Sequence, residues 1–244
     1  SFLSSFSPSL ASSSSTSTSS SSHYLTYFAS LVWSVFLGEA CCAAILETGK
    51  AKTMLGGTLL GSCVRQDGRS ASLTAPNGHA QQGLLVAALQ DAGTSVDALA
   101  LNEAHGTGTA LGDPIEAGSL VGAVLSARED ALAVGGVKAN IGHAEPAAGM
   151  AGILQSVSNI SRSMRPGLCH IGSVNPFVAS SIDRQNSQRF VLSRQSHQSP
   201  STAADGASMC GVSGFAFMGT NAHIILSSPE SLTRCNAQSS SSVW

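Results

Sequence analysis

Residues 98–114, Ala98-Leu-Ala-Leu-Asn-Glu-Ala-His-Gly-Thr-Gly-Thr-Ala-Leu-Gly-Asp-Pro114, decide the fold class. The apolar run ending at Glu103 reads as a buried strand, and a Gly-Thr loop leaves it. Asp113-Pro114 then opens a helix to about Leu125, with a capping residue ahead of a proline at the first helical position. The order recurs downstream: Leu132 to Val137 reads as a strand, Lys138-Ala-Asn-Ile-Gly-His-Ala-Glu-Pro-Ala-Ala-Gly149 as its loop, and residues 147–162 as a small-residue helix. Strand, loop and helix repeated in this way indicate an α/β domain. Each loop carries a histidine, His105 and His143, at the strand-end crevice where open α/β sheets place their ligands.

Outward from this centre, Met54 to Cys63 reads as a strand and Ala80 to Ala92 as a helix that Gly93 stops. Phe190 to Leu192, Cys210 to Phe217 and Ala222 to Leu226 read as further strands. Residues 1–36 form a Ser-rich, low-complexity lead that ends in an apolar run over 24–37, and residues 229–244 read as a disordered tail. The fourteen-residue apolar run is shorter than the roughly 20 residues that span a bilayer, so no membrane span is expected. The first basic residue is Lys50, which argues against a secretory signal. A cytoplasmic location is expected, with a Ser-rich plastid-targeting lead as the alternative.

Of the 244 residues, 43% are hydrophobic, enough for a substantial core, and the net charge of −2 includes no basic run. Nucleic acid is therefore set aside as a partner. The six cysteines form no Cys-x-x-Cys pair, which argues against a zinc site and against a dense disulfide framework. No third ligand stands near the histidines at a familiar spacing such as His-x-x-x-His, so no metal is assigned. Gly-Thr-Gly-Thr lacks the Lys-Ser or Lys-Thr of a phosphate-binding P-loop, and the dinucleotide glycine pattern is not met.

Two neutral imidazoles on tight turns can donate two hydrogen bonds to one carbonyl oxygen, which is what stabilising an enolate requires. Glu103, two residues before His105 at the strand end, is expected to share its side. Lys138 and Glu145 place a cation and an anion around His143. Thr107 and Thr109 offer hydroxyls on a thin loop suited to an extended polar ligand such as a pantetheine arm. The run from Gly211 to His223 is a third small-residue loop, able to present backbone N–H groups as an oxyanion hole. His23, His79, His170, His197 and His223 are read as structural.

These residues resemble the C-terminal half of a β-ketoacyl synthase, the ketosynthase domain of polyketide and fatty acid synthases. The resemblance covers 37–228 through Leu37-Gly-Glu-Ala-Cys41, Gln66-Asp-Gly-Arg-Ser70, Leu73-Thr-Ala-Pro-Asn-Gly-His-Ala-Gln81, both histidine loops, Val174-Asn-Pro176 and Gly219-Thr-Asn-Ala-His-Ile224. It implies a thiolase-like layered fold, a mixed sheet covered by helices, and decarboxylative Claisen condensation of malonyl units. The substrate would ride on the phosphopantetheine of an acyl carrier protein, with no cofactor bound by the chain itself. It further implies a homodimer, or a companion chain supplying the N-terminal half.

By the same resemblance, His105 and His143 grip the malonyl thioester carbonyl, Lys138 and Glu145 support them, and Thr107 and Thr109 hold the arm. Phe217 stands at the acyl-pocket gate with its N–H in the oxyanion hole, while Asp113 and Glu116 are structural. The family's cysteine nucleophile, in an Ala-Cys-Ser-Ser type turn, has no counterpart in this chain. Cys41 and Cys42 match a segment associated with core packing. The alternative reading is therefore a nucleophile-less partner subunit, or an inactive fragment, that binds or only decarboxylates malonyl carrier protein. Ala216 and Met218 replace usual glycines, and the bulk of Met218 is expected to disturb the gate.

Overall fold

A computed structural model describes residues 37–46, 56–70, 75–183, 189–198 and 208–228. The Ser-rich lead over 1–36, the tail over 229–244, His23 and the start of the strand expected from Met54 lie outside the described residues. The described elements run β1 (Thr58–Gln66), α1 (Gly78–Asp91), β2 (Leu99–Glu103), α2 (Gly112–Ala123), β3 (Leu132–Gly135), α3 (Lys138–Ile141) and α4 (Ala148–Ser161). They continue with β4 (Met164–Arg165), α5 (Pro176–Asp183), β5 (Phe190–Val191), β6 (His197–Gln198), β7 (Met209–Phe215) and β8 (Thr220–Ser227).

Six strands form one mixed sheet in the order β1-β8-β7-β2-β3-β5, and β4 pairs with β6 apart from it. The strands β7, β2, β3 and β5 are mutually parallel, whereas β8 runs antiparallel to both β1 and β7. The sheet separates two apolar layers. Leu132 and Val134 face a cluster that includes Leu85 and Leu89 of α1 and Leu120 and Val121 of α2. Ala133, Cys210, Val212 and Leu226 face the other way, onto Ile160 and its neighbours Ile153 and Val157 on α4. Strand alternation thus delivers helices to both faces, and β3 throughout and β2 at all but Ala100 are buried, as expected of strands covered on both sides.

Local chemistry sets the element ends. The Asn77 side chain accepts from the N–H groups of His79 and Ala80 at the start of α1, and Gly93 takes φ +61° beyond its end, a left-handed stop suited to glycine. β1 continues to Gln66, past the expected Cys63, because Val64, Arg65 and Gln66 pair with Ala222, Asn221 and Thr220. Four other expectations are corrected. Lys138 does not begin a loop directly but opens the four-residue helix α3. The third loop is a hairpin: β7 stops at Phe215, and the Ala216 and Gly219 N–H groups donate to Thr220 and Ala216 carbonyls. Asp113 does not cap α2 from outside but lies within its first turn. Cys41 is exposed and Cys42 only half-buried, because among the described residues segment 37–46 is held to the body through Leu37 and Gly38 beside His143. Helix α5 was not foreseen; its short sequence follows Asn175, whose Oδ1 accepts the Phe177 N–H.

Candidate active site

The cleft at the ends of β2 and β7 has a volume of about 490 Å³ and brings together His105, His143, Thr107, Thr109 and Phe217. His105 leaves β2 one residue past its end, and buried Glu116 of α2 fixes the loop behind it. The two Glu116 carboxylate oxygens accept the N–H groups of His105 at 2.7 Å and Gly106 at 2.8 Å. Asp113 does the same for the next turn, accepting the Gly108 and Thr109 N–H groups at 3.1 and 3.2 Å. Thr109 Oγ1 in turn accepts the Gly112 N–H at 3.1 Å. A loop with φ values of +44° at Gly106 and +78° at Gly108 is thereby held by two carboxylates, and these positions require glycine.

The His105 and His143 rings stand edge to face with centroids 6.0 Å apart, and the Phe215 ring lies 5.5 Å from His105. The Glu145 backbone N–H donates to His143 Nδ1 at 2.9 Å. A neutral His143 therefore carries its proton on Nε2. Burial, followed by the nearby Lys138 and His143 charges, pushes His105 down to about 3. Burial and the Lys138 charge also lower His143, although Glu145 opposes them. Both rings are thus neutral at ordinary pH and able to donate without giving up a proton.

Lys138 is buried outside the cleft lining. Burial lowers its pKa against the pull of Glu103, Glu116 and Asp113. It acts on the histidines as a charge behind the loops. Glu103 does not share the side of His105. The strand ends at Glu103, with the Ala104 N–H making a last contact to the Gly135 carbonyl, so two-residue alternation does not extend to His105. Glu103 instead lines a small separate cavity with Asn140 and Gln155, accepts the Val137 N–H, and is pushed by burial to about 7. Glu145 is exposed and reaches His143 through its backbone, at φ +45°.

Phe217 lies at the rim, 75% exposed. Met218 is 66% exposed and does not line the cleft. The left-handed position of the turn falls on Gly219, at φ +86°, so Met218 needs no glycine conformation and its bulk does not close the site. His223 is buried, with Nδ1 3.0 Å from Ser213 Oγ, and burial lowers it to about 3. None of the described cysteines lines the cleft. Cys210 lies within β7, where burial raises its thiol to about 12. Among the described residues, no cluster of three His, Cys, Asp or Glu side chains is placed to hold a metal ion, and no helix is long and apolar enough to cross a membrane.

Sequence reasoning treated Glu116 and Asp113 as structural without seeing what they hold. Their acidic character in the first turns of α2 was the available signal, since that helix starts where the loop N–H groups converge. Phe215 beside His105 was missed altogether.

Comparison with known proteins bears on the family and the fold. Residues 56–172 match the model of the β-ketoacyl synthase C-terminal domain. The chain is 42% identical over 166 residues to a phenolphthiocerol/phthiocerol polyketide synthase of Mycobacterium tuberculosis, a match that covers 68% of this chain and 10% of that protein. It is 38% identical over 194 residues to the erythronolide synthase EryA2 of Saccharopolyspora erythraea, covering 78% of this chain and 5% of that one. Among solved structures, the oxazolomycin ketosynthase domain OzmH KS7 of Streptomyces albus JA3453 superposes with a TM-score of 0.64 at 32% identity, over 70% of this chain and 30% of that one. The module 6 ketosynthase of the Bacillus subtilis 168 bacillaene synthase gives 0.63 at 29%, with the same coverage. The chain spans a tenth or less of these synthases and under a third of these ketosynthase chains. The fold is that of the thiolase-like ketosynthases, and through its C-terminal domain the chain belongs to the β-ketoacyl synthase family of condensing enzymes.

Proposed function

We propose that this chain supplies the malonyl-binding and decarboxylating part of a ketosynthase acting on malonyl units carried by an acyl carrier protein. The observation that carries the reading is the pair of neutral imidazoles facing one cleft, with the His143 tautomer set by the Glu145 N–H. When the carboxylate of a malonyl thioester departs as carbon dioxide, the electrons of the breaking bond pass to the thioester carbonyl and make an enolate. Donors from His105 and His143 onto that oxygen strengthen as charge develops, which lowers the barrier. The hydroxyls of Thr107 and Thr109 flank the path of the phosphopantetheine arm, and Phe217 stands at the rim on the acyl side.

Condensation also needs a thiol that holds the acyl chain under attack. None of the described cysteines faces the cleft, which favours a second reading: the described residues bind and decarboxylate, while the nucleophile stands elsewhere in a larger assembly. The carrier protein is the implied partner, and a companion chain would bring the cysteine. Carbon dioxide release from malonyl-carrier protein tests the common core of both readings. His143→Ala is expected to slow it by roughly 100-fold, the scale of losing one oxyanion donor; an unchanged rate would sink both.

A further inference from the structure

We infer that Gln81 is a ligand-binding residue of the cleft, whose side-chain oxygen accepts a hydrogen bond from an amide N–H of the arm that carries the acyl group. The inference deepens the proposed function and rests on that reading of the cleft.

Gln81 sits in the first turn of α1, is 1% exposed, and lines the same cleft as His105 and Thr107. Its neighbours in that wall have their hydrogen bonds already engaged. Asp67 Oδ1 accepts from the Asn77 N–H and from Asn221 Nδ2. Glu116 and Asp113 accept the loop N–H groups. Among the described residues, the buried side-chain atoms without a partner are few, and Gln81 Oε1 alone belongs to a residue lining this cleft.

A buried acceptor left unpaired costs roughly 1–3 kcal/mol, so native structures leave such groups where something else satisfies them. Among the described residues nothing in the wall does so, and the cleft is the space that Gln81 lines. Thioester and carboxylate oxygens accept only, so the reacting end of a malonyl unit offers Gln81 Oε1 no partner. An amide in the carrying arm offers an N–H, and its carbonyl can accept from the Gln81 NH₂ group in return. The same wall thus holds the two threonine hydroxyls for the arm and a carboxamide for its amide. A bound water is the rival occupant, and the two make opposite predictions.

The test measures binding of S-acetylpantetheine and of its analogue N-methylated at both amides, by ligand-observed NMR, to the full chain and to Gln81→Met, a near-isosteric change that removes the hydrogen-bonding atoms. The wild type is expected to bind the N-methylated analogue about five- to tenfold more weakly, the scale of one neutral hydrogen bond. Gln81→Met is expected to lose the same factor on S-acetylpantetheine and almost none on the analogue. Because the wild type on two ligands is decisive by itself, the proposal stays falsifiable even if the variant does not fold. Equal binding of both ligands by the wild type overturns the assignment of Gln81 alone. So does a Gln81→Met chain that binds unchanged while gaining stability, which identifies the occupant as water. Absence of binding by the wild type to either ligand overturns the reading of the cleft and this inference with it.

Discussion

Replacing Glu116 by alanine removes the acceptor of two backbone N–H groups, those of His105 and Gly106, at 2.7 and 2.8 Å. Hydrogen bonds to a charged group contribute about 1.5–3 kcal/mol each, so the gross loss is roughly 3–6 kcal/mol. Part of this is returned, because burial already disfavours the Glu116 charge and raises its pKa; a net destabilisation of about 2–4 kcal/mol is expected. Glu116→Gln keeps one acceptor oxygen and turns an NH₂ group against the second N–H, which leaves one donor unsatisfied at about 1–3 kcal/mol. Urea denaturation at neutral pH measures both, and alanine is expected to be the more costly. Decarboxylation should fall in the same order, since the freed loop carries His105 away from His143. A loss below about 1 kcal/mol for Glu116→Ala would refute the reasoning, as would a destabilised variant whose decarboxylation rate is unchanged.

Glu103 titrates near 7 in the folded chain against 4.5 as a free side chain. The stability it confers is therefore complete below pH 4.5 and is lost as pH rises through about 7, by roughly 3 kcal/mol. Glu103→Gln should remove that decline, so denaturation midpoints of the two proteins followed from pH 4.5 to 7.5 should diverge; parallel curves would rule out this titration. Gly211→Ala puts a Cβ 2.7 Å from both Asn102 Oδ1 and His223 Nε2, a clash expected to cost about 1–3 kcal/mol in the same assay. Gly214→Ala on the same strand meets nothing within 4 Å and serves as the control that should stay far closer to wild type.

The α/β order was legible because each strand near the site is short, apolar and punctuated. Leu99–Glu103 runs into a loop rich in glycine and threonine and Leu132–Gly135 into a segment of small residues, and the capping signals at Asp113-Pro114 and Gly93 fell at or next to real helix ends. What failed was parity and pairing. Two-residue alternation predicted one side for Glu103 and His105, yet it holds only while the strand continues, and this strand stops between them. Strands were legible over Cys210–Phe217 and from Ala222, but the small residues of Gly211–His223 also suggested a loop, and nothing in them showed a hairpin. The pairing of β7 with Thr220–Ser227 across a four-residue turn is a contact between segments, which composition does not carry. Glu145 was read for its charge, which does act on His143, and it contributes a backbone N–H as well.

The histidines themselves were easy to find, but what makes them useful was not written beside them. Both rings are kept neutral chiefly by burial and then by the charge of Lys138, a residue that lies outside the cleft. Lys138 is itself buried and feels the charge of three carboxylates, two of which clamp the His105 loop. A single set of charges therefore fixes the position of the loop and the protonation of its ring. A change to Glu116 or Asp113 would alter geometry and electrostatics together, whereas a change to Gln81 touches neither. For that reason the carboxylate variants should lower the rate of the chemical step, and the Gln81 variant should appear in binding.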